Sequence, residues 1–395
     1  MLRFLTAGES HGPALTVIIE GVPAGVPLTA DDINPDLARR QLGYGRGRRM
    51  AIEQDRVEVL SGIRRGETLG SPVAFLIRNK DWTNWQHTMS IEAEPDASLP
   101  GARRAAVTRP RPGHADLSGG LKYEREDMRD ILERASARET AARVAAGAVA
   151  RALLRHVGVQ ISSHVTTIGG VSLPGGIDIP FDHIAALAAD DDVRCVDAGV
   201  AQQMRDAVDA AREAGDTVGG AFEVVAHGVP AGLGSHTHWD RKLDGLLAQA
   251  LMSIHAIKAV GIGVGPAVGD LPGSRVHDEI VLEQHHLARP TNRAGGLEGG
   301  ITNGEDIRVT AWMKPIATLM QPLRSVDLAT MSEQKAAIER SDVCAVPAAA
   351  VVGEAMVSLT LANAVLDKFG GDSLRALSAA VSDWRSRVAS RIGHA

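Results

Sequence analysis

Short apolar runs punctuated by glycine and proline alternate along this chain with longer alanine-rich stretches of helical period. The runs "LTVIIEGV" (15–22), "RVEVLSGI" (56–63), "SPVAFLIR" (71–78), "AFEVVAHGV" (221–229) and "IRVTAWM" (307–313) predict strands, since β-branched and aromatic residues suit a half-buried pleated ladder. Apolar positions recurring every three or four residues predict helices over 137–156, 241–256, 348–369 and 373–391. The first opens on a capping box, Ser136 with Glu139 three residues on. It runs through Ala142, Ala145, Val149, Ala152 and Leu153, and closes at Gly158. Strands cluster in pairs instead of alternating strictly with helices, which predicts an α+β layered fold over a doubly wound one.

The pattern also repeats. "VIIEGVPAG" (17–25) is echoed by "VVAHGVPAG" (224–232). In the same order, "SGIRRGE" before "SPVAFLIR" is echoed by "GGITNGE" before "IRVTAWM". The echoes predict an internal duplication, with halves of roughly 1–160 and 161–395 burying helices between two sheets. Residues 79–121 have almost no periodicity. They carry Trp82, Trp85 and His87 and end in "RPRPGHADLSGG" (109–120), where Pro110, Pro112 and Gly113 exclude regular structure. So long an aperiodic stretch predicts an ordered functional loop holding Arg111 and His114 in fixed places.

Composition narrows the class. The chain has 395 residues, 44% of them hydrophobic and 23% charged, as in ordinary globular proteins. A formal net charge of -6 argues against a general nucleic-acid binder. Two cysteines cannot build a disulfide framework, and no signal-peptide core precedes the first charges, so a cytoplasmic protein is expected. The most apolar stretch, 346–366, includes Glu354, Ser358, Thr360 and Asn363, and predicts a core helix instead of a membrane span.

Candidate chemistry concentrates in a few segments. "ARRQLGYGRGRRM" sets Arg39, Arg40, Arg46, Arg48 and Arg49 among glycines, suited to bidentate grip on a small anion, although a solvated loop or an RNA-binding segment reads the same way. Arg134 and Arg138 flank a helix N-terminus, where cations oppose the dipole unless an anion is present. A glycine cluster at 295–300 and Lys314 in "KPIAT" allow close backbone approach to a ligand. His11 in "GESHG" is either a structural or a catalytic imidazole, and Asp342 in "ERSDVCAVPA" either chemical or a helix N-cap. His236 and His238 would share a strand face, but no second ligand cluster completes a metal set, and no metal is expected.

Taken in order, "GESHG", "RRQLGYGRGRRM", "NKDW", "TRPRPGHADLSGG", "RASARETAARVAAGA", "GLGSHTHWDRKLD", "TNRAGGLEGGITNGE", "KPIAT" and "RSDVCAVPA" resemble the chorismate synthase family over nearly the whole chain. The resemblance implies a duplicated α/β sandwich assembled as a homotetramer. It also implies a lyase eliminating phosphate from 5-enolpyruvylshikimate 3-phosphate with reduced FMN, without net redox change. By resemblance, His11, His114 and Asp342 are catalytic. FMN contacts fall on Arg134, Ala135, Ser136, His255, Ala256, Gly299, Lys314, Pro315, Ile316, Ala317, Thr318 and Arg340. Arg40, Arg46, Arg49, Arg111 and Arg138 take substrate, with Arg40 and Arg46 also assigned to NADP. NADPH is then the expected electron source, through a separate flavin reductase. Two departures stand out: Ala135 replaces a frequent serine, and Ala259 and Gly261 replace the glycine and glutamate of the family's usual "AIKGVEIG". The second is expected to alter a local turn near the flavin.

Overall fold

The computed structural model of the chain describes residues 1–47, 54–101, 105–175, 178–284, 286–339 and 341–392. Strands β1 (Arg3–Ala7), β2 (Ala14–Glu20), β3 (Val57–Ser61) and β4 (Val73–Arg78) form an antiparallel sheet in the order β1-β2-β4-β3. Strands β5 (Gln160–Ile168), β6 (Val171–Ser172), β7 (Gly220–His227), β8 (Ile257–Ile262) and β9 (Ile307–Met313) form a second, in the order β8-β9-β7-β5-β6. The fold is α+β with antiparallel sheets. In each sheet the fourth main strand in the chain inserts between the second and the third. Alternation decides which face is buried: Leu15, Val17 and Ile19 of β2 and Val73, Phe75 and Ile77 of β4 point inward and are fully buried, while Ile18 between them is exposed.

The helices are α1 (Ala30–Gln41), α2 (Asp116–Tyr123), α3 (Arg129–Ala135), α4 (Thr140–His156), α5 (Phe181–Ala185), α6 (Ala198–Glu213), α7 (Leu243–Met252), α8 (Val346–Phe369) and α9 (Leu374–Ile392). Helix α4 packs on β1, β2 and β4; α8 packs on β5 and β7; and the two helices pack on each other, with α1 touching both. One position lets α4 and α8 approach so closely. A Cβ at Gly147 would stand 2.3 Å from Cβ of Ala355 and 2.4 Å from its Cα. Helix α8 has the length and hydropathy of a membrane span (mean 1.7), yet 83% of that apolar stretch is buried inside the protein.

Beside that contact a charge is buried. Glu354 on α8 is fully shielded and accepts hydrogen bonds from Arg39 Nη2 of α1 (2.7 Å), Arg151 Nη2 of α4 and Ser163 Oγ of β5 (2.6 Å). Arg194 Nη2 stands 3.4 Å away. Burial alone would raise this carboxyl, but the charges of Arg39, Arg151 and Arg194 outweigh it and hold Glu354 well below the usual carboxylate range.

Several expectations are corrected. No capping box forms at Ser136. Ser136 accepts the Arg138 N–H (3.2 Å) at a 3-10 turn, Ala137–Glu139, while the Glu139 carboxylate is held by Thr6 Oγ1 (2.7 Å) and Arg143 Nε (2.9 Å); the α-helix starts at Thr140. The 79–121 stretch contains a 3-10 turn, Lys80–Asn84, and passes into α2 at Asp116. His236 and His238 lie in exposed bends, not on a strand, and His238 pairs with Asp240 (2.7 Å). Among the described residues no cluster of three or more His, Cys, Asp or Glu could hold a metal. The altered segment at 257–262 is a strand, not a turn. A side chain at Gly261 would meet the Trp312 ring at 3.1 Å, so the small residue there serves packing.

Two outcomes follow from this core. Gly147→Val forces α4 from α8 and should lower the unfolding free energy in urea by about 2–3 kcal/mol. Glu354→Gln removes the buried charge that Arg39, Arg151 and Arg194 share, a loss of about 3–5 kcal/mol near neutral pH. Because the folded pKa of Glu354 is depressed, its contribution is full above the unfolded value near 4.5 and declines as pH falls below it. Urea melts at pH 7 and pH 3 should therefore show the gap between wild type and Glu354→Gln shrinking with acidification.

Candidate active site

His11 lies in the turn between β1 and β2, and its placement is determined on three sides. Nδ1 contacts both Glu133 oxygens at 2.9 Å, its backbone N–H donates to Glu133 Oε2 (2.9 Å), and its ring stacks on Trp85 with centroids 3.8 Å apart. Trp85 is fixed in turn by Nε1–H donation to Asp81 (3.2 Å). Burial would raise Glu133, but hydrogen bonds and charge from His11, with the charge of Arg129, more than offset it and lower its pKa. An ionised carboxylate can only accept, so Nδ1 carries a proton and the ring is held in one orientation.

A second imidazole repeats the device. His114 Nδ1 is 2.6 Å from Asp116 Oδ1. Asp116, fully buried at the start of α2, also accepts from Arg111 Nε (2.9 Å) and the Arg111 backbone N–H (3.0 Å). Burial opposes ionisation there, yet His114 and Arg111 hold the carboxyl far below its ordinary value. The loop is tied to the segment after β9. Arg111 Nη1 donates to Thr318 Oγ1 (2.9 Å), Lys314 Nζ to the Gly113 carbonyl (2.6 Å), and Lys314 N–H to the Ala256 carbonyl (2.9 Å). Gly113 adopts φ +79, and a Cβ there would crowd the Lys314 ammonium at 3.2 Å. Burial, and Lys258 second, lowers the Lys314 pKa.

The arginines converge between these loops. Arg138 Nη1 donates to buried Asp55 (2.6 Å) and Nε to Asn79 (2.9 Å), whose amide holds the Glu9 and Gly12 carbonyls of the His11 turn. Arg40, buried beside it, donates to Thr140 Oγ1 (2.9 Å) and the Ala137 carbonyl (2.8 Å); its Nη1 is buried with no hydrogen-bond partner, 3.6 Å from Asp55. Burial lowers Arg40 to about 9, Asp55 opposes the shift, and Arg138 and Arg46 add to it. Arg46 Nη1 pairs with Asp342 Oδ2 (2.7 Å), and the Gly47 N–H donates to Asp342 Oδ1 (2.7 Å). Gly45 adopts φ +90, and a Cβ there would meet Val208 at 2.9 Å and the Cys344 backbone at 3.0 Å, so the turn that Asp342 grips tolerates only glycine. His255 is pushed down to about 4, by burial first; Glu139 opposes, while Arg143, Arg40 and His114 reinforce. Its Nδ1 is shielded with no hydrogen-bond partner. His255, Arg134, Glu139 and Arg143 line a cleft of about 430 Å³ with Phe4 and Ser253.

Most of the predicted site residues thus gather in linked groups. Arg134 donates to the Thr6 and Gly8 carbonyls (2.9 and 3.1 Å), Ala135 ends α3, and Ser136 caps the next turn. Pro315, Ile316 and Ala317 lie in the segment whose Ile316 carbonyl accepts from Thr217 (2.8 Å). Gly299 sits in the hairpin at 297–302, where a side chain would approach only His236 (4.0 Å). Arg49 and Arg340 lie outside the described residues. Two readings need correction. The anion that Arg138 was expected to require is an internal carboxylate, Asp55. Asp342 does not cap α8, whose N-cap is Ala345; it binds the 45–47 turn instead. The residues that sequence reasoning missed are the carboxylates Glu133, Asp116 and Asp55. Asp116 stands two residues after His114 and Glu133 one before Arg134, but nothing local marks Asp55.

The chain is similar to known proteins over nearly its whole length. The family model for chorismate synthase matches residues 2–366. The chorismate synthase of Moorella thermoacetica is 58% identical over 387 residues, covering 98% of each chain. That of Geobacter sulfurreducens is 55% identical over 382 residues, covering 95% of this chain and 96% of the relative. A crystal structure of chorismate synthase superposes with a TM-score of 0.76 at 42% identity, covering 98% of both chains.

If the buried carboxylates position the imidazoles, Glu133→Gln and Asp116→Asn should each lower kcat about 10²-fold, since small misplacements of a reacting group have that effect. Steady-state kinetics on folded protein, checked by near-UV circular dichroism, measures it.

Proposed function

This chain belongs to the chorismate synthase family, and from that premise we propose how its residues serve the carbon–oxygen lyase step of the shikimate pathway, 5-enolpyruvylshikimate 3-phosphate giving chorismate and phosphate. The cofactor is reduced FMN, with NADPH as the source of electrons through a separate flavin reductase, and the enzyme works in the cytoplasm as a homotetramer. The residues present fit an anionic, polar-edged group. Arg40 Nη1 and His255 Nδ1 are buried without hydrogen-bond partners, and the flavin positions carried by resemblance include the cleft residues Arg134 and His255. When bound, reduced flavin would supply an electron-rich ring and a basic edge to the elimination of phosphate.

The protein's own groups bind, orient and move protons. His11, fixed at Nδ1 by Glu133, donates from Nε2 to the departing phosphate. His114, fixed at Nδ1 by Asp116, hydrogen-bonds the flavin. Asp342, held between Arg46 and the Gly47 N–H, is the acid–base partner of the flavin edge. Arg40, Arg46, Arg49, Arg111 and Arg138 hold the phosphate and carboxylates of substrate, and Arg340 the cofactor; Arg40 and Arg46 also serve NADP. Anchoring both histidines through Nδ1 on buried carboxylates is the observation that carries this reading, because it holds two imidazoles in fixed orientations. The shared strand order of the two sheets supports a layered sandwich built by duplication of halves 1–160 and 161–395.

Anaerobic assay for chorismate and phosphate, with reduced FMN, with oxidised FMN and without flavin, tests the cofactor; product formed equally in all three would overturn it. His11→Ala and His114→Ala should each lose about 10²–10⁴ in rate while FMN still binds. Asp342→Asn keeps the acceptor for Gly47 N–H but not the charge, so near-native melting with a rate lowered about 10²-fold is expected. A fully active Asp342→Asn enzyme would leave Asp342 a structural role only.

A further inference from the structure

At the far end of α4 from the reaction site lies a cavity of about 460 Å³ whose lining includes Arg39, Arg151, Arg155 and Arg194 together with the apolar Phe181 and Leu187. The residues taken above for catalysis begin at the N-terminal end of α4. Arg151 and Arg155 come eleven and fifteen residues after Thr140, so at ~1.5 Å per residue they sit about 16 and 22 Å along the axis. The cavity is a separate place with its own chemistry.

Its charge is in excess. Four guanidinium groups face Glu354, Asp36 and Asp191, leaving one positive charge over. Asp191 Oδ1 is engaged by the N–H groups of Val193 (2.9 Å) and Arg194 (2.6 Å). Arg194, only 4% exposed, has its Nε buried with no hydrogen-bond partner, and so has Arg151. Arg155 at the exposed rim makes no side-chain ion pair among the described residues. A lining with four guanidinium groups, one of them in no ion pair among the described residues, suits a planar anion, and forks favour carboxylate. The apolar residues of the lining ask for an apolar body, and the volume suits a molecule of about one ring.

We propose that this cavity is a second ligand site, taking a small organic acid with one carboxylate on an apolar ring. Nothing in the lyase step uses these arginines, so the site modulates the protein from outside the reaction centre, through α1, α4 and α8 that meet at Glu354.

Benzoate is the probe, with benzyl alcohol and inorganic phosphate as controls. Calorimetry and thermal melting on the full chain should show benzoate binding and raising Tm. Arg155→Glu and Leu187→Asp, both at solvent-reachable positions outside the catalytic machinery, should each weaken benzoate at least about tenfold while leaving turnover without benzoate unchanged. Absence of benzoate binding, or binding that survives both variants, would overturn the proposal. Phosphate binding as tightly as benzoate would overturn the assignment of an apolar-bodied ligand.

Discussion

A single buried carboxylate organises this protein. Glu354 stands where α1, α4, α8 and β5 meet, and each supplies it a donor or carries it: Arg39, Arg151, the helix itself and Ser163. Burying an ionised carboxyl is expensive in a medium of low polarity, and only a full set of opposite charges offsets it. The neighbouring contact of Gly147 with Ala355 sets the distance at which those helices hold the donors. Register between the sheets is thereby specified by charge as well as by shape, since a slip would strand Glu354 among apolar groups.

The site is built on the same plan at smaller scale. Arg138 rests on Asp55, Arg46 on Asp342, Arg111 and His114 on Asp116, and His11 on Glu133. Each cation or imidazole is braced by an internal acid before ligand arrives. Braced groups need no reorganisation when charge develops on the ligand, which is where electrostatic stabilisation acts. The acidic composition of an arginine-lined site follows from this: the arginines are abundant because ligands are anionic, and the carboxylates because the arginines must be held.

How much could be read in the chain depended on whether a signal was local. Strands β2, β4, β7 and β9 and helices α4 and α8 announced themselves by period, and ligand-binding segments by arginine and glycine. Strand β5, "QISSHVTTI", escaped notice because its buried Ser163 and His164 are polar and paired across space. Helix α1 was hidden by Pro35 and a polar surface, although Thr29 and Asp32 pair at its start (2.7 Å). The apparent capping box at Ser136 failed because Glu139 found Thr6 and Arg143, partners no local rule could see. For the same reason Asp55, which secures Arg138 from 83 residues away, left no trace in its own surroundings.

The bond between Gly47 and Asp342 spans 295 positions of the chain, and that between Leu2 N–H and Asn363 spans 361. Contacts so remote in sequence require closing very large loops before they return any stability, and so form late. On a ribosome, the first strand must wait for α8 to emerge before its end is secured. The pocket for an anionic substrate therefore cannot exist on a partial chain: synthesis of nearly the whole polypeptide precedes the first competent binding event, and premature termination yields no truncated species able to sequester the ligand.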